Sequence, residues 1–320
     1  MTNPLPHGDF AVNPGAGIGT LTYVNQPQDA RLRIAAIGFL NPAPLMWDFE
    51  HPPLCDALAH RYRIDRMMPS ECAARLAAGQ ADIGLIPIVA LATTPGLRIL
   101  PGCTIASKGQ VRSLVLVYRA GRSLASLRSV AADTASRTTL AYARILFHKW
   151  GNPAIQFLPM AADLDVMLEH ADAAIVIGDP ALFALEERYN RMERTGEELF
   201  YRDLAAEWRA LTGLPYVSAV WAIAPGAAAQ GGPSDESIAE DFIRSRDHGL
   251  ANIDALVAEW ATRLPIPENT IRSYLTANIH YVLDEECLEG MRGFFRMAAE
   301  CGVLPPYTVA VEELVARQRS

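Results

Sequence analysis

The chain has 320 residues, of which 50% are hydrophobic and 20% charged, and its formal net charge is −8 at pH 7. A chain of this length can bury a large core as one domain or as two lobes. No apolar run reaches the roughly eighteen residues of a membrane-spanning helix. Only Lys108 and Lys149 are lysines and no predicted helix carries a basic stripe, which argues against a nucleic-acid partner.

Residues 1–30 are rich in Pro, Gly and Asn and predict an irregular extension. They contain no basic segment followed by a continuous apolar run, so we expect no secretory signal and a cytoplasmic protein. The stretch "GAGIGT" lacks both a preceding strand and the G-x-G-x-x-G spacing of a dinucleotide loop. The five cysteines are scattered without a C-x-x-C pair, so we expect free and mostly buried thiols.

Strands and helices alternate from Arg31 onward. "RLRIAAIG" predicts a first strand and "YRIDRMM" a second, and "PSECAARLAAGQ" predicts a helix that Ser70 caps and Gly79 ends. "ADIGLIPI" predicts a third strand that is apolar along its whole length. Such a strand belongs in a sheet covered on both faces, so the pattern favours an α/β fold.

The alternation begins again after two strand-like runs that flank Ser107. "LRSVAAD", "AIQFLPM" and "DAAIVIGD" predict strands with helices between them, "YVSAVWAIAPG" predicts another strand, and the chain is then helical in pattern to about Cys301. We therefore predict a discontinuous first lobe, residues 31–117 and 218–320, with a helical C-terminal part, and a second lobe, residues 118–217. A ligand would bind between the lobes, near the carboxyl ends of parallel strands.

Polar residues follow the predicted strands and are the candidate site residues. "VAADTASRTT" joins a strand directly to a helix, so unpaired backbone N–H groups, hydroxyls and a guanidinium could hold a carboxylate or phosphate there. Each candidate also has a simpler interpretation as an ordinary helix cap or an Asn-Pro turn. The candidates are Asn41, Ser70, Ser107, Thr134, Ser136, Arg137, Thr138 and Asp179.

The sequence has no nucleophile elbow, Walker loop, H-E-x-x-H or EF-hand motif. His51 and Cys55 are four residues apart, but two prolines lie between them, so we predict no metal pair. The other histidines have no carboxylate or cysteine partner evident from spacing, and we interpret them as surface or structural residues. Periodicity and spacing thus indicate a two-lobed α/β protein that binds a small anionic ligand.

Several segments together resemble the chorismate dehydratases of the futalosine route to menaquinone. The similarity runs in order from about Arg31 to Trp221, and more loosely through "IRSYLTANIHYVLDEECLEGMRGFF". It rests on the segments "IGFLNPAPL", "MPSECAARLAAGQADIGLIPI", "LPGCTIASKGQVRSLVLVYR", "AADTASRTTLAYARIL", "AAIVIGDPAL" and "DLAAEWRALTGLPYVSAVWA". The resemblance implies the two-lobed fold of type II solute-binding proteins, dehydration of chorismate to 3-[(1-carboxyvinyl)oxy]benzoate, and no metal or organic cofactor.

The resemblance also suggests roles for the candidate residues. Chorismate is a dianion, so residues 134–138 and, opposite them, Ser70 would bind its carboxylates, with Asp179 as a further binding residue. Asn41 and Ser107 would contact the reacting region, and the enolpyruvyl carboxylate of the substrate would itself accept the proton. The chain departs from the usual family pattern at Gly38-Phe39 and at Pro42, while the Asn and the Arg are retained.

Two alternatives remain open from the sequence. The sister enzyme that forms 1,4-dihydroxy-6-naphthoate resembles the same fold, but it carries a histidine where this chain has Gly178-Asp179. A non-catalytic solute receptor would normally have an export signal, which we do not find. The sequence leaves the oligomeric state open.

Overall fold

The described strands form two five-stranded sheets. The computed structural model describes residues 31–133, 137–227, 233–306 and 311, so the predicted irregular extension lies outside the described residues. In chain order the strands are β1 (Leu32–Ile37), β2 (Tyr62–Met67), β3 (Ile83–Pro87), β4 (Arg98–Ser107), β5 (Leu114–Arg119), β6 (Ser129–Asp133), β7 (Gln156–Met160), β8 (Ala173–Ile177), β9 (Leu199–Asp203) and β10 (Tyr216–Ile223).

Helices cover these sheets and dominate the C-terminal part of the described chain. In chain order they are α1 (Trp47–Glu50), α2 (Cys55–Ala59), α3 (Pro69–Ala77), α4 (Arg137–Lys149), α5 (Leu164–His170), α6 (Asp179–Glu186), α7 (Arg188–Thr195), α8 (Leu204–Thr212), α9 (Asp235–Ala251), α10 (Ile253–Ala261), α11 (Glu268–Ser273) and α12 (Glu285–Glu300). A π-helical turn, Tyr274–Asn278, follows α11 directly. Among the described helices, none is long and apolar enough to cross a bilayer.

Each sheet combines parallel and antiparallel strands. The order of the first sheet is β2-β1-β3-β10-β4, and that of the second is β7-β6-β8-β5-β9. β1 is parallel to β2 and β3, whereas β10 is antiparallel to β3 and β4. β6 is likewise parallel to β7 and β8, whereas β5 is antiparallel to β8 and β9. The chain therefore changes sheet between β4 and β5 and returns between β9 and β10, and the α/β fold is confirmed.

The strands that the sequence marks as apolar are buried on both faces. All five residues of β3 are buried, and α3 covers one face of this strand with Cys72 and Leu76. α3 begins at Pro69, and the residue before it, Met68, makes no side-chain capping bond. Ser70 therefore lies inside the first turn, and the prediction that it caps the helix is wrong. Proline suits the first helical position because its φ is already helical and it lacks an N–H that would be unpaired there.

An aromatic layer joins the two halves of the molecule. The ring of Tyr142, in α4, stacks on that of Tyr216, in β10, with centroids 3.9 Å apart. The Tyr142 hydroxyl donates to the carbonyl oxygen of Val217 at 3.3 Å, and Phe294 of α12 packs on the same ring at 4.4 Å. Packed aromatic pairs contribute about 0.5–1.5 kcal/mol beyond simple burial. This layer fixes α4 against the first sheet beside the predicted cleft.

Candidate active site

A pocket with a cavity volume of about 30 Å³ lies between the two sheets. β1, β3 and β8 direct the segments after them into it, and β5 and β10 supply a second wall. Its lining residues are Ile37, Phe39, Asn41, Pro69, Pro87, Ile105, Ala106, Val111, Ser113, Leu114, Ile177, Gly178, Tyr216, Ser218, Ala219 and Ile279. A ligand cleft at the carboxyl ends of parallel strands is the arrangement that the alternating pattern predicts.

Asn41 is the predicted site residue that the structure places in this pocket. Its side-chain oxygen Oδ1 is buried and has no hydrogen-bond partner among the described residues. The turn after β1 holds the residue in place, since the amide of Ala43 donates to the carbonyl oxygen of Leu40 at 3.0 Å. A buried amide without a partner is costly, so this oxygen is available to a ligand.

The other polar side chains that line the pocket are neutral. Ser113, Ser218 and Tyr216 supply hydroxyl groups, and the described lining contains no charged side chain. The Tyr216 hydroxyl donates to Oγ1 of Thr139 at 3.3 Å, and burial raises the pKa of Tyr216, which keeps the phenol neutral. The sequence reasoning missed Ser113 and Ser218, although Ser218 is the single polar side chain within the apolar interior of "YVSAVWAI".

Ser107 lies beside the pocket, and its hydroxyl is engaged in a local turn. The residue is buried at the end of β4, and Ile105 and Ala106 just before it line the pocket. Its Oγ donates to the carbonyl oxygen of Gly109 at 3.1 Å and lies 3.3 Å from the Gly109 amide, which donates to it. A contact between Ser107 and substrate would require this turn to open or share its hydroxyl, so the catalytic role stays a prediction.

The predicted anion-binding segment is described only in part. Thr134 and Ser136 lie outside the described residues. Arg137 begins α4 with an exposed side chain, whereas Thr138 is buried and its Oγ1 accepts from the amide of Val89 at 3.3 Å. Ser70 is half-buried, beside the pocket residue Pro69. The binding roles of these residues stay predictions.

The contact between Thr138 and Val89 makes a stability prediction. Replacing Thr138 by Val keeps the shape of the side chain but leaves the buried Val89 amide without its acceptor, which should lower the free energy of unfolding by about 1–3 kcal/mol. T138S keeps the hydroxyl and is the matched control. Urea unfolding of both variants measures the difference, and equal stability would show that this bond contributes nothing.

Asp179 begins α6, and its carboxylate faces the segment after β1. Oδ1 lies 3.0 Å and Oδ2 3.3 Å from the backbone nitrogen of Leu40, which donates to them. Burial raises the pKa of Asp179 to about 6, although the Leu40 amide opposes this. Since the carboxylate is directed to a backbone amide, its predicted contact with substrate stays a prediction.

Three histidines have carboxylate partners in the structure. His51 contacts Glu259 at 2.9 Å, and His248 contacts Asp48 at 2.8 Å. His280 contacts Asp284, four residues on, at 2.9 Å. Spacing gives no sign of the partner of His248, because Asp48 is distant in sequence, whereas the four-residue spacing of His280 and Asp284 is a signal that sequence reasoning missed.

His280, Asp284 and Cys287 form a group that could hold a metal ion, with their ligand atoms within 4.8 Å of one another. However, Nζ of Lys108 lies 2.7 Å from Oδ2 of Asp284. Burial opposes ionisation of Asp284, but Lys108 and the Cys287 amide outweigh it and lower the pKa of this carboxyl. Burial also raises the pKa of the Cys287 thiol to about 12. The Lys108 ammonium group thus already supplies the positive charge that a metal ion would bring. We therefore interpret the cluster as the network that caps the start of α12.

Fold and pocket together define a two-lobed fold like that of the periplasmic binding proteins. Protein AF1704 from Archaeoglobus fulgidus is similar with a TM-score of 0.68 and 15% sequence identity, covering 86% of this chain and 99% of that one. The periplasmic aliphatic sulphonate binding protein SsuA from Escherichia coli is similar with a TM-score of 0.63 and 15% identity, covering 91% and 93%. At this identity the likeness concerns the fold alone.

Comparison of the amino-acid sequence identifies the family of this chain. The family model described as "Menaquinone biosynthesis" matches residues 32–300. A curated chorismate dehydratase from Thermus thermophilus is 26% identical over 242 residues, which are 73% of this chain and 85% of the relative. The chain belongs to the menaquinone biosynthesis family, and the resemblance seen in the sequence is confirmed.

Proposed function

We propose that this protein is a lyase that dehydrates chorismate to 3-[(1-carboxyvinyl)oxy]benzoate within the futalosine route. Membership of the menaquinone biosynthesis family and the similarity to a chorismate dehydratase support this substrate. The observation that carries the proposal is the unpartnered Oδ1 of Asn41 in a pocket whose described lining is neutral. A cytoplasmic location stays a prediction.

The reaction is an elimination across two neighbouring ring carbons. The C–H bond of the carbon that bears the enolpyruvyl ether breaks, its electron pair forms the new ring double bond, and the adjacent C–O bond breaks. Charge that develops in the ring can spread onto the ring carboxylate, so hydrogen-bond donors at that carboxylate stabilise the transition state. The hydroxyl takes up the proton that was removed from carbon and leaves as water, and the ring becomes aromatic.

The proton acceptor in this proposal is the enolpyruvyl carboxylate of the substrate. A general base must lie within hydrogen-bond reach of the proton that it removes, and no carboxylate or histidine appears in the described lining. A bound conformation that brings the substrate carboxylate to its own C–H group makes the transfer intramolecular, which is worth several orders of magnitude in rate. The protein then has to hold the substrate in this conformation and does not have to supply a base.

Asn41 suits that task because an amide both donates and accepts without titrating. Its Nδ2 would donate to the enolpyruvyl carboxylate and hold it in place, and its buried Oδ1 would accept from the ring hydroxyl and so orient that group before it takes up the proton. Ser107, at the pocket wall, would hold the second of these groups once its turn with Gly109 is rearranged. Ser70 and the segment 134–138, with Arg137, would bind the carboxylates of the dianion.

The test is to incubate the purified protein with chorismate and follow mass and ultraviolet absorbance. We expect a product lighter by one water with an aromatic spectrum. Recovery of bound but unchanged chorismate would contradict the proposal and favour the receptor alternative. The sister activity is disfavoured because Gly178-Asp179 occupies the position of its histidine.

A further inference from the structure

The loop that carries Asn41 is held from the opposite sheet by one carboxylate. We propose that Asp179 is a positioning residue, which fixes the Asn41 side chain in the pocket by binding the backbone amide of Leu40 across the cleft. The effect on catalysis rests on the proposed function, whereas the contact itself can be tested without substrate. Asp179 would thus act through the backbone and not on the substrate.

The contact joins two parts of the chain that are far apart in sequence. Leu40 follows β1 of the first sheet, and Asp179 follows β8 of the second. The Leu40 amide lies 3.0 Å from Oδ1 and 3.3 Å from Oδ2, so both carboxylate oxygens are directed at the same N–H group. Leu40 is fully buried, at 0% exposure, so the loss of this acceptor would leave its amide away from bulk water.

Gly178 places the carboxylate and lets the loop approach closely. Its φ of +65° and ψ of −145° are essentially restricted to glycine. A Cβ at this position would lie 2.8 Å from two ring carbons of Phe39. The ring therefore packs directly on the Gly178 backbone, and Phe39 and Leu40 contact consecutive residues of the opposite loop.

The held amide fixes the next residue. The Leu40 N–H is bound by Asp179, and the Leu40 carbonyl oxygen accepts from the Ala43 amide at 3.0 Å. Both ends of Leu40 are therefore fixed, and its carbonyl carbon is bonded to the nitrogen of Asn41. Pro42 restricts the backbone of Asn41 from the other side. With its backbone set in this way, Asn41 has little freedom except rotation of its side chain.

The surroundings of Asp179 favour positioning over proton transfer. The residue is not among the pocket lining, and it makes no ion pair within the described ranges. Asp179 interacts electrostatically with Tyr274 of the π-helical turn. Burial raises the pKa of Tyr274, and the charge of Asp179 raises it further. Both the carboxylate and the neutral carboxyl retain an oxygen that can accept from the Leu40 amide.

The kinetic test compares two variants of Asp179, D179A and D179N, with a control variant of another aspartate, D172N. D179A should lower kcat for chorismate by about 100-fold, because a misplacement of about 1 Å costs that much, while KM changes far less. D179N keeps an acceptor oxygen and should recover most of the lost turnover. D172N is the matched control, since Asp172 accepts from the Arg128 amide and pairs with Arg122 instead, and it should match the wild type. D179N as slow as D179A, or D179A as fast as the wild type, would overturn the proposal.

The contact is tested independently by the Leu40 amide resonance in proton–nitrogen correlation spectra without substrate. In the wild type and in D172N this resonance should shift with pH around a midpoint of about 6, which follows the pKa of Asp179. In D179N the pH shift should vanish, and in D179A the amide should exchange with solvent faster. If the Leu40 amide responds neither to pH nor to D179N nor to D179A, the proposal is overturned whatever the kinetics show. An inactive wild type with the expected Leu40 titration would count against the dehydratase, not against the contact.

Discussion

Replacing Asn41 by Ala should lower kcat for chorismate by about 10²- to 10³-fold, the usual cost of losing one preorganised hydrogen-bonding group at a reacting centre. The melting temperature should change little. In the free protein Oδ1 of Asn41 has no described partner, so truncation there removes a buried polar atom that nothing satisfies. Steady-state kinetics and a thermal melt on the same preparation measure both effects.

Asn152 provides the matched control, because its side-chain amide makes structural hydrogen bonds and does not line the pocket. Its Nδ2 donates to the carbonyl oxygens of Leu124 and Leu127 at 3.0 and 2.8 Å. N152A should therefore lose about 1–3 kcal/mol of stability and retain turnover. Near-normal turnover by N41A would contradict the role of Asn41, and a large loss of stability in N41A would show that its amide has a structural partner.

Replacing Gly178 by Ala should have the second large effect, on stability and turnover together. The backbone conformation alone costs about 1–3 kcal/mol for a residue with a Cβ, and the new methyl group would press on the Phe39 ring. Since this ring lines the pocket, its displacement should also lower kcat. Denaturant unfolding and chorismate kinetics measure the two losses.

Gly121 separates the backbone cost from the clash. Its φ is +80°, and a Cβ there would have nothing within 4 Å. G121A should therefore show only the backbone cost of about 1–3 kcal/mol, with turnover unchanged. If the ring contact matters, F39A should partly relieve G178A, so the two changes should couple by about 0.5–3 kcal/mol in a double-mutant cycle. Additive losses would show that Phe39 and Gly178 act separately.

The sequence predicts the layered fold because the apolar runs of buried strands and the residues that end helices are signals carried by short segments. The unbroken apolar run of β3 can be satisfied only between two covering layers, and Gly79, with φ of +67°, ends α3 where glycine is expected. The beginning of the same helix differs from the prediction, because Pro69 opens it and Ser70 lies inside its first turn. Proline at a first helical position is an equally local signal.

The candidate site is predictable only where its residues follow strands. Asn41 meets that rule and lies in the pocket, whereas Ser218 lies within β10 and reaches the pocket through the pleat of the strand. The partners of Leu40 and Thr138 could not be predicted, because a backbone amide leaves no signal in sequence and each pair depends on how two sheets meet. Spacing similarly says nothing about His248, whose carboxylate partner comes from a distant helix.

The position of β10 has a consequence for synthesis on the ribosome. This strand lies between β3 and β4, yet it is made after every strand of the second sheet. Until residues 216–223 emerge, β3 keeps an open edge and β4 has no strand to pair with. Unpaired strand edges are the surfaces through which nascent chains aggregate. The second sheet can complete itself early, so the first sheet is the vulnerable half of the newborn chain, and its closure waits for a strand made two-thirds of the way along.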